Sequence, residues 1–84
     1  MSPASRPRLL LLTRPDCELC AEFRAELEQH FPGRFEVREA CVDDDPDWRR
    51  RYGLKIPVLL DEQGALLCAT RFDPQALLQE RLRT

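Results

Sequence analysis

The strongest constraint on what this chain can fold into is a short leucine run, Leu9-Leu10-Leu11-Leu12, cut off by Pro15. Four apolar residues are far fewer than the roughly 18 that a membrane helix needs. They also fall short of the apolar stretch of a secretory signal, and no small-residue cleavage site follows. A leucine run can open a helix, but Pro15 disfavours helical geometry at Arg14. The run therefore reads as a buried strand over 8–13, bounded by polar and proline residues. Residues 1–7 read as a loose tail, and 8–84 as a single domain.

A helix over 17–31 follows. Cys20, Phe23, Leu27 and Phe31 recur at spacings of three, four and four, one face of a 3.6-residue period. Pro32-Gly33 ends it. Residues 35–42 read as a second strand, with Phe35 and Val37 alternating with Glu36 and Arg38. Asp45-Pro46 is a cap followed by a first-turn proline, opening a short helix that Gly53 closes. Trp48 and Tyr52, four apart, form its inner face. Residues 56–60 and 65–70 read as a hairpin around Asp61-Glu62-Gln63-Gly64. Asp73-Pro74 repeats the cap and proline for a last helix, with Leu77, Leu78 and Leu82 facing inward. The order is β-α-β-α-β-β-α. The first three elements make a right-handed parallel unit, and the hairpin completes a mixed four-stranded sheet with helices on both faces.

The 84 residues carry 43% hydrophobic and 33% charged side chains, which suits a small folded domain rather than a disordered chain. Net charge is −2. The basic residues are scattered among nearly equal acids, so no nucleic-acid partner is expected, and no membrane contact. Four cysteines in a secreted chain would suggest a disulfide scaffold, but no secretory context is visible. A cytoplasmic location and a monomer are expected.

The chemistry gathers at Cys17-Glu18-Leu19-Cys20, where a strand ends and a helix begins. Unpaired N–H groups and the dipole at a helix N-terminus stabilise an anion, so the Cys17 thiol is expected below its ordinary value. Asp16 and Glu18 oppose that shift. Cys20 lies one turn on, on the same face, and can attack a mixed disulfide formed at Cys17. Pro57 starts the third strand, and Ile56 before it can offer its backbone to a substrate as a short added strand.

These segments resemble the glutaredoxin-like branch of the thioredoxin superfamily, short bacterial proteins included. The residues that carry the resemblance are Thr13-Arg14-Pro15-Asp16-Cys17-Glu18-Leu19-Cys20, Val42-Asp43-Asp44-Asp45-Pro46 and Tyr52-Gly53-Leu54-Lys55-Ile56-Pro57-Val58-Leu59. The resemblance implies a thioredoxin-like α/β fold with strand order 2-1-3-4 and the third strand antiparallel to the first. It implies Cys17 as nucleophile, Cys20 as resolving thiol and a cis Pro57. Ile56 would hydrogen-bond a bound disulfide or glutathione, and Arg14 would stand where relatives hold a glutathione carboxylate. Two stretches depart from the family. Glu18-Leu19 replaces its usual Pro-Tyr, and Thr70-Arg71-Phe72-Asp73 replaces a Gly-Gly pair that receives glutathione.

The expected function is thiol–disulfide exchange on a disulfide-containing protein or a low-molecular-weight thiol substrate. No bound cofactor is needed. Glutathione, or another thiol, is the co-substrate that recycles the pair. Two other readings stay open: a protein-binding module without redox turnover, and a metal or iron–sulfur carrier. A closed four-cysteine metal site would need a second such pair, and Cys17/Cys20 is the only one in the sequence, so no metal is assigned. Cys41, at the end of the second strand, is a third redox thiol, a metal ligand or a packed residue, and Cys68 reads as core. His30 lies too far along its helix to pair with Cys17. Arg49-Arg50-Arg51 reads as a solvated face or a carboxylate-binding patch. Asp43-Asp44-Asp45 reads as loop and cap.

Overall fold

The computed structural model describes residues 6–82, with side chains as far as residue 78. Most of the expected tail and the side chain of Leu82 lie outside the described residues. Pro7 is described, and its carbonyl accepts from the Glu36 N–H at 2.9 Å, so the chain joins the sheet one residue before its first strand.

The elements are β1 (Arg8–Thr13), α1 (Glu18–His30), β2 (Glu36–Cys41), α2 (Pro46–Tyr52), β3 (Val58–Leu60), β4 (Leu66–Ala69) and α3 (Pro74–Leu82). A single 3-10 turn, Val42–Asp44, joins β2 to α2. The strands lie in the order β2-β1-β3-β4. β1 and β2 are parallel, from Arg8 opposite Glu36 to Thr13 opposite Cys41. β3 runs antiparallel to both β1 and β4. Its pairing with β4 shifts between Leu59, opposite Cys68, and Leu60, opposite Leu66, leaving Leu67 as the extra residue. Direction and order are those implied by the resemblance.

The leucine run explains the two-sided core. Successive residues of a strand face opposite sides. Leu9 and Leu11 pack with Phe23 and Leu27 of α1, with Phe31 at its C-cap and with Leu77 of α3. Leu10 and Leu12 pack on the other side with Val42, Trp48 and Tyr52. The four residues expected on the inner face of α1 are all buried. Trp48 and Tyr52 are half-buried against the second cluster.

Leu78 corrects the expectation for the last helix: it is 44% exposed, while Leu77 is fully buried. Neighbours in a helix point about 100° apart, so two adjacent leucines do not share the centre of one narrow contact. β3 also starts later than expected, at Val58. Pro57 has no N–H for a ladder, and the Ile56–Pro57 bond is cis.

Candidate active site

The strand register brings four loops to one end of the sheet. Leu12 pairs with Val58, so the segment leaving β1 and the segment entering β3 lie side by side. Thr13 pairs with Cys41, which puts the end of β2 there too. Val58 pairs with Ala69, which adds the segment after β4. Cys17, Pro57, Cys41 and Thr70 all belong to this end.

The turn into α1 is made at Asp16, whose φ is 60°. Aspartate tolerates this left-handed conformation better than most side chains. Cys17 is then the N-cap of α1, in extended geometry, and its Sγ accepts from the Cys20 N–H at 3.1 Å. A sulfur thus fills the role usually played by a serine or aspartate oxygen. The two sulfurs are joined as a disulfide, with the Cα atoms 5.2 Å apart. Their exposure differs. Cys17 is half-buried, whereas Cys20 is 6% exposed. Leu19, between them, is 52% exposed and leaves an apolar surface beside the pair.

A groove of about 720 Å³ runs along the disulfide, lined by Thr13, Arg14, Asp16, Glu18, Arg24 and Glu39 besides the cysteines and Ala21. Arg24 Nη1 donates to Glu39 Oε2 at 2.6 Å. Arg14 is held more completely. Its Nε and Nη2 donate to the two Asp43 oxygens at 2.9 and 3.0 Å, and its Nη1 donates to the Gly53 carbonyl at 2.9 Å. The shared hydrogen bonds push the Arg14 guanidinium up from its ordinary value and hold the Asp43 carboxyl below its own. One side chain therefore ties the loop before Cys17 to the 3-10 turn and to the end of α2.

Pro57 is fully buried, and its carbonyl accepts from the Thr70 N–H at 2.7 Å. Ile56 is half-buried, with its side chain packed against the second core cluster. Thr70 has φ 71°, rare for a β-branched residue. Its Oγ1 donates to the Lys55 carbonyl at 3.0 Å. The Arg71 N–H closes the same turn onto the Ala69 carbonyl at 2.7 Å. A positive φ thus occurs where the resemblance leads one to expect glycine, held by two hydrogen bonds to the Pro57 segment.

The remaining candidates separate from this end or join it only in part. Cys41 is half-buried at the end of β2. Cys68 is buried, its thiol donates to the Asp73 carbonyl at 3.6 Å, and burial pushes that thiol up. His30 sits at the far end of α1, roughly 20 Å along the axis from Cys17, with its ring 5.1 Å from that of Phe72. Arg50 and Arg51 pair with Asp47, and Arg49 is exposed. Among the described residues no group of three or more His, Cys, Asp or Glu could hold a metal, and no helix is long and apolar enough to cross a membrane.

Asp43, Gly53 and Thr70 are the residues that sequence reasoning did not connect with the site. Nothing in the chain distinguishes Asp43 from Asp44 and Asp45. Only the departure from the family's glycines marked the Thr70 stretch.

The comparisons with known proteins bear on the fold and the family. The chain is similar to the solution structure of protein Ne2328 from Nitrosomonas europaea, with TM-score 0.77 and 23% identity over 95% of this chain and 96% of that one. It is similar to protein XcR50 from X. campestris, with TM-score 0.69 and 32% identity over 90% and 97% of the two chains. A malarial protein shares the fold at TM-score 0.56 and 16% identity, over 93% and 99%. No curated protein matches the chain. The family described as glutaredoxin-like domain (DUF836) matches residues 8–83. With that match over nearly the whole chain, and the sheet order and cysteine pair above, the chain belongs to the glutaredoxin-like domain family.

Proposed function

We propose that the protein is a thiol–disulfide oxidoreductase with Cys17 as nucleophile and Cys20 as resolving thiol. The observation that carries this reading is the unequal pair at the start of α1. A half-buried N-cap sulfur is bonded to a buried one a turn further in. In the reduced protein the Cys17 thiolate attacks one sulfur of a substrate disulfide. A Cys17–substrate bond forms, the substrate's S–S bond breaks, and the first thiolate leaves. Cys20, deprotonated as it reacts, then attacks Cys17 Sγ. The internal disulfide forms and the second substrate thiolate leaves. Two electrons have passed from the protein to the substrate, and the departing thiolates take up the protons released by the cysteines.

A dithiol or two monothiols must return those electrons. Glutathione is the low-molecular-weight candidate, and a reducing cytoplasmic setting suits the cycle. Ile56 lies before the paired part of β3, so its peptide groups can take a substrate segment as an added strand. Pro57, fully buried, fixes the chain next to it, and Arg14 borders the groove beside the disulfide. The substrates are disulfide-bearing proteins or small disulfides, handled by a monomer without a bound cofactor.

The test is turnover of a small disulfide with dithiothreitol as donor. Cys17→Ser abolishes it, and reduced Cys20→Ser, mixed with the small disulfide after dithiothreitol has been removed, accumulates a mixed disulfide at Cys17, visible by mass. Parent-rate turnover by Cys17→Ser would defeat the proposal.

A further inference from the structure

Two cations line the groove beside the disulfide, Arg14 and Arg24. Either one, if free, would draw in a substrate carrying a carboxylate. Neither is free. Arg24 faces Glu39, and Arg14 places two nitrogens on Asp43 and a third on the Gly53 carbonyl. A planar guanidinium holding both oxygens of one carboxylate is the strongest form of that pairing. A substrate carboxylate entering this fork would recover the two bonds it displaces, but the Asp43 charge would remain beside it. The exchange gains nothing. The other charged residues at the mouth are Asp16 and Glu18, on either side of Cys17 in the chain. Among the described residues neither forms an ion pair. Among the residues lining this groove, the charge left uncompensated is negative.

We propose that this site selects disulfides flanked by neutral or positive groups and disfavours carboxylate-bearing ones, with Asp43 as a specificity-determining residue that fills the Arg14 fork. The inference rests on the exchange chemistry proposed above and names the substrate class for it. The favoured chemistry is a disulfide near amines or guanidinium groups, in a small molecule or in a polypeptide. Among thiols that could return the electrons, it favours a neutral or cationic one over glutathione, whose carboxylates meet the same charge.

The test uses the full chain, dithiothreitol as donor, and three small disulfides of similar size. These are cystamine, bis(2-hydroxyethyl) disulfide and 3,3′-dithiodipropionate. Each kcat/KM is divided by the uncatalysed rate with dithiothreitol, which removes intrinsic reactivity. The expected cationic-to-anionic ratio is about five- to tenfold at low ionic strength. It shrinks toward unity in about 0.5 M salt, as exposed charges are screened. Asp43→Asn lowers the ratio roughly threefold by releasing Arg14. The exposed double variant Asp16→Asn/Glu18→Gln lowers it independently, should Asp43→Asn fail to fold. Cystine peptides flanked by lysine or by glutamate form a further arm. A lysine preference there extends the class to polypeptides, and a preference confined to the small series assigns a small-molecule substrate. A parent ratio at or below unity overturns this inference and leaves the exchange chemistry standing. No turnover of any disulfide overturns the exchange chemistry itself.

Discussion

The Cys20 backbone N–H donates to the Sγ of Cys17 at 3.1 Å, within the first turn of α1. The cap of this helix is therefore one of its two sulfurs. Once the disulfide is reduced, the same N–H and its neighbours in the first turn face a thiol at the positive end of the helix dipole. That arrangement favours the thiolate, the form that reacts, against the opposing charges of Asp16 and Glu18.

The expected consequence is an order of alkylation in the reduced, folded protein. Cys17 reacts with iodoacetamide first. Cys68 reacts last, since it is 5% exposed and burial pushes its thiol up. Timed quenching with peptide mass analysis gives the order. Labelling of Cys68 ahead of Cys17 would contradict this picture of the site.

Phe23 anchors α1 to the sheet. It is 1% exposed and meets the Phe72 ring edge to face at 5.5 Å. Phe23→Ala removes a large buried side chain, at a cost of about 3–5 kcal/mol. A domain this small has a stability of about 5–15 kcal/mol, so the loss is a major fraction of it. Urea unfolding should show the midpoint falling sharply, and a loss under about 1 kcal/mol would mean that α1 is held by something else.

Gly53 is required for its lack of a side chain rather than for its backbone angle, since φ is −57°. A Cβ there would stand 2.5 Å from the Arg49 carbonyl oxygen and 3.2 Å from Arg14 Nη2. The first contact is with backbone, so the end of α2 must move. Gly53→Ala is expected to destabilise by about 1–3 kcal/mol, the usual range for forced overpacking. Denaturant titration measures it, and an unchanged midpoint would show that α2 yields easily.

The Arg14–Asp43 pair gives an acid-dependent term. Arg14 lowers the Asp43 carboxyl below its ordinary 3.8, chiefly through the shared hydrogen bonds. A group depressed on folding contributes stability that is fully present above its unfolded value. That contribution is lost as pH falls through the folded value. Unfolding free energy measured between neutral pH and pH 3 should fall less steeply in Asp43→Asn than in the parent. Identical acid limbs would show that the pair adds nothing.

The sequence carried the architecture well because local signals and the global fold agree. The leucine run, the Cys20–Phe31 face and the two Asp-Pro caps each specify an element by a short-range rule, and each element formed. Asp45 Oδ1 accepts from Asp47 N–H at 2.8 Å, and Asp73 Oδ1 from Gln75 N–H at 3.1 Å. Leu78 misled because helical periodicity gives a face but not its width. The Cys17–Cys20 pair was legible because its meaning depends on three residues of spacing and one helix start. The partners of Arg14 were not, since Asp43 and Gly53 lie 29 and 39 residues away and meet it only through the fold.

The most direct test of the central claim is a redox titration of the full chain. The protein is equilibrated in graded ratios of reduced and oxidised dithiothreitol, quenched with an alkylating agent, and analysed by mass spectrometry. The account predicts that Cys17 and Cys20 become protected together, in one two-electron transition, while Cys41 and Cys68 stay alkylatable after unfolding. If Cys17 and Cys20 remain thiols at every ratio and under a stronger oxidant as well, the pair is not a redox couple and the proposed function falls.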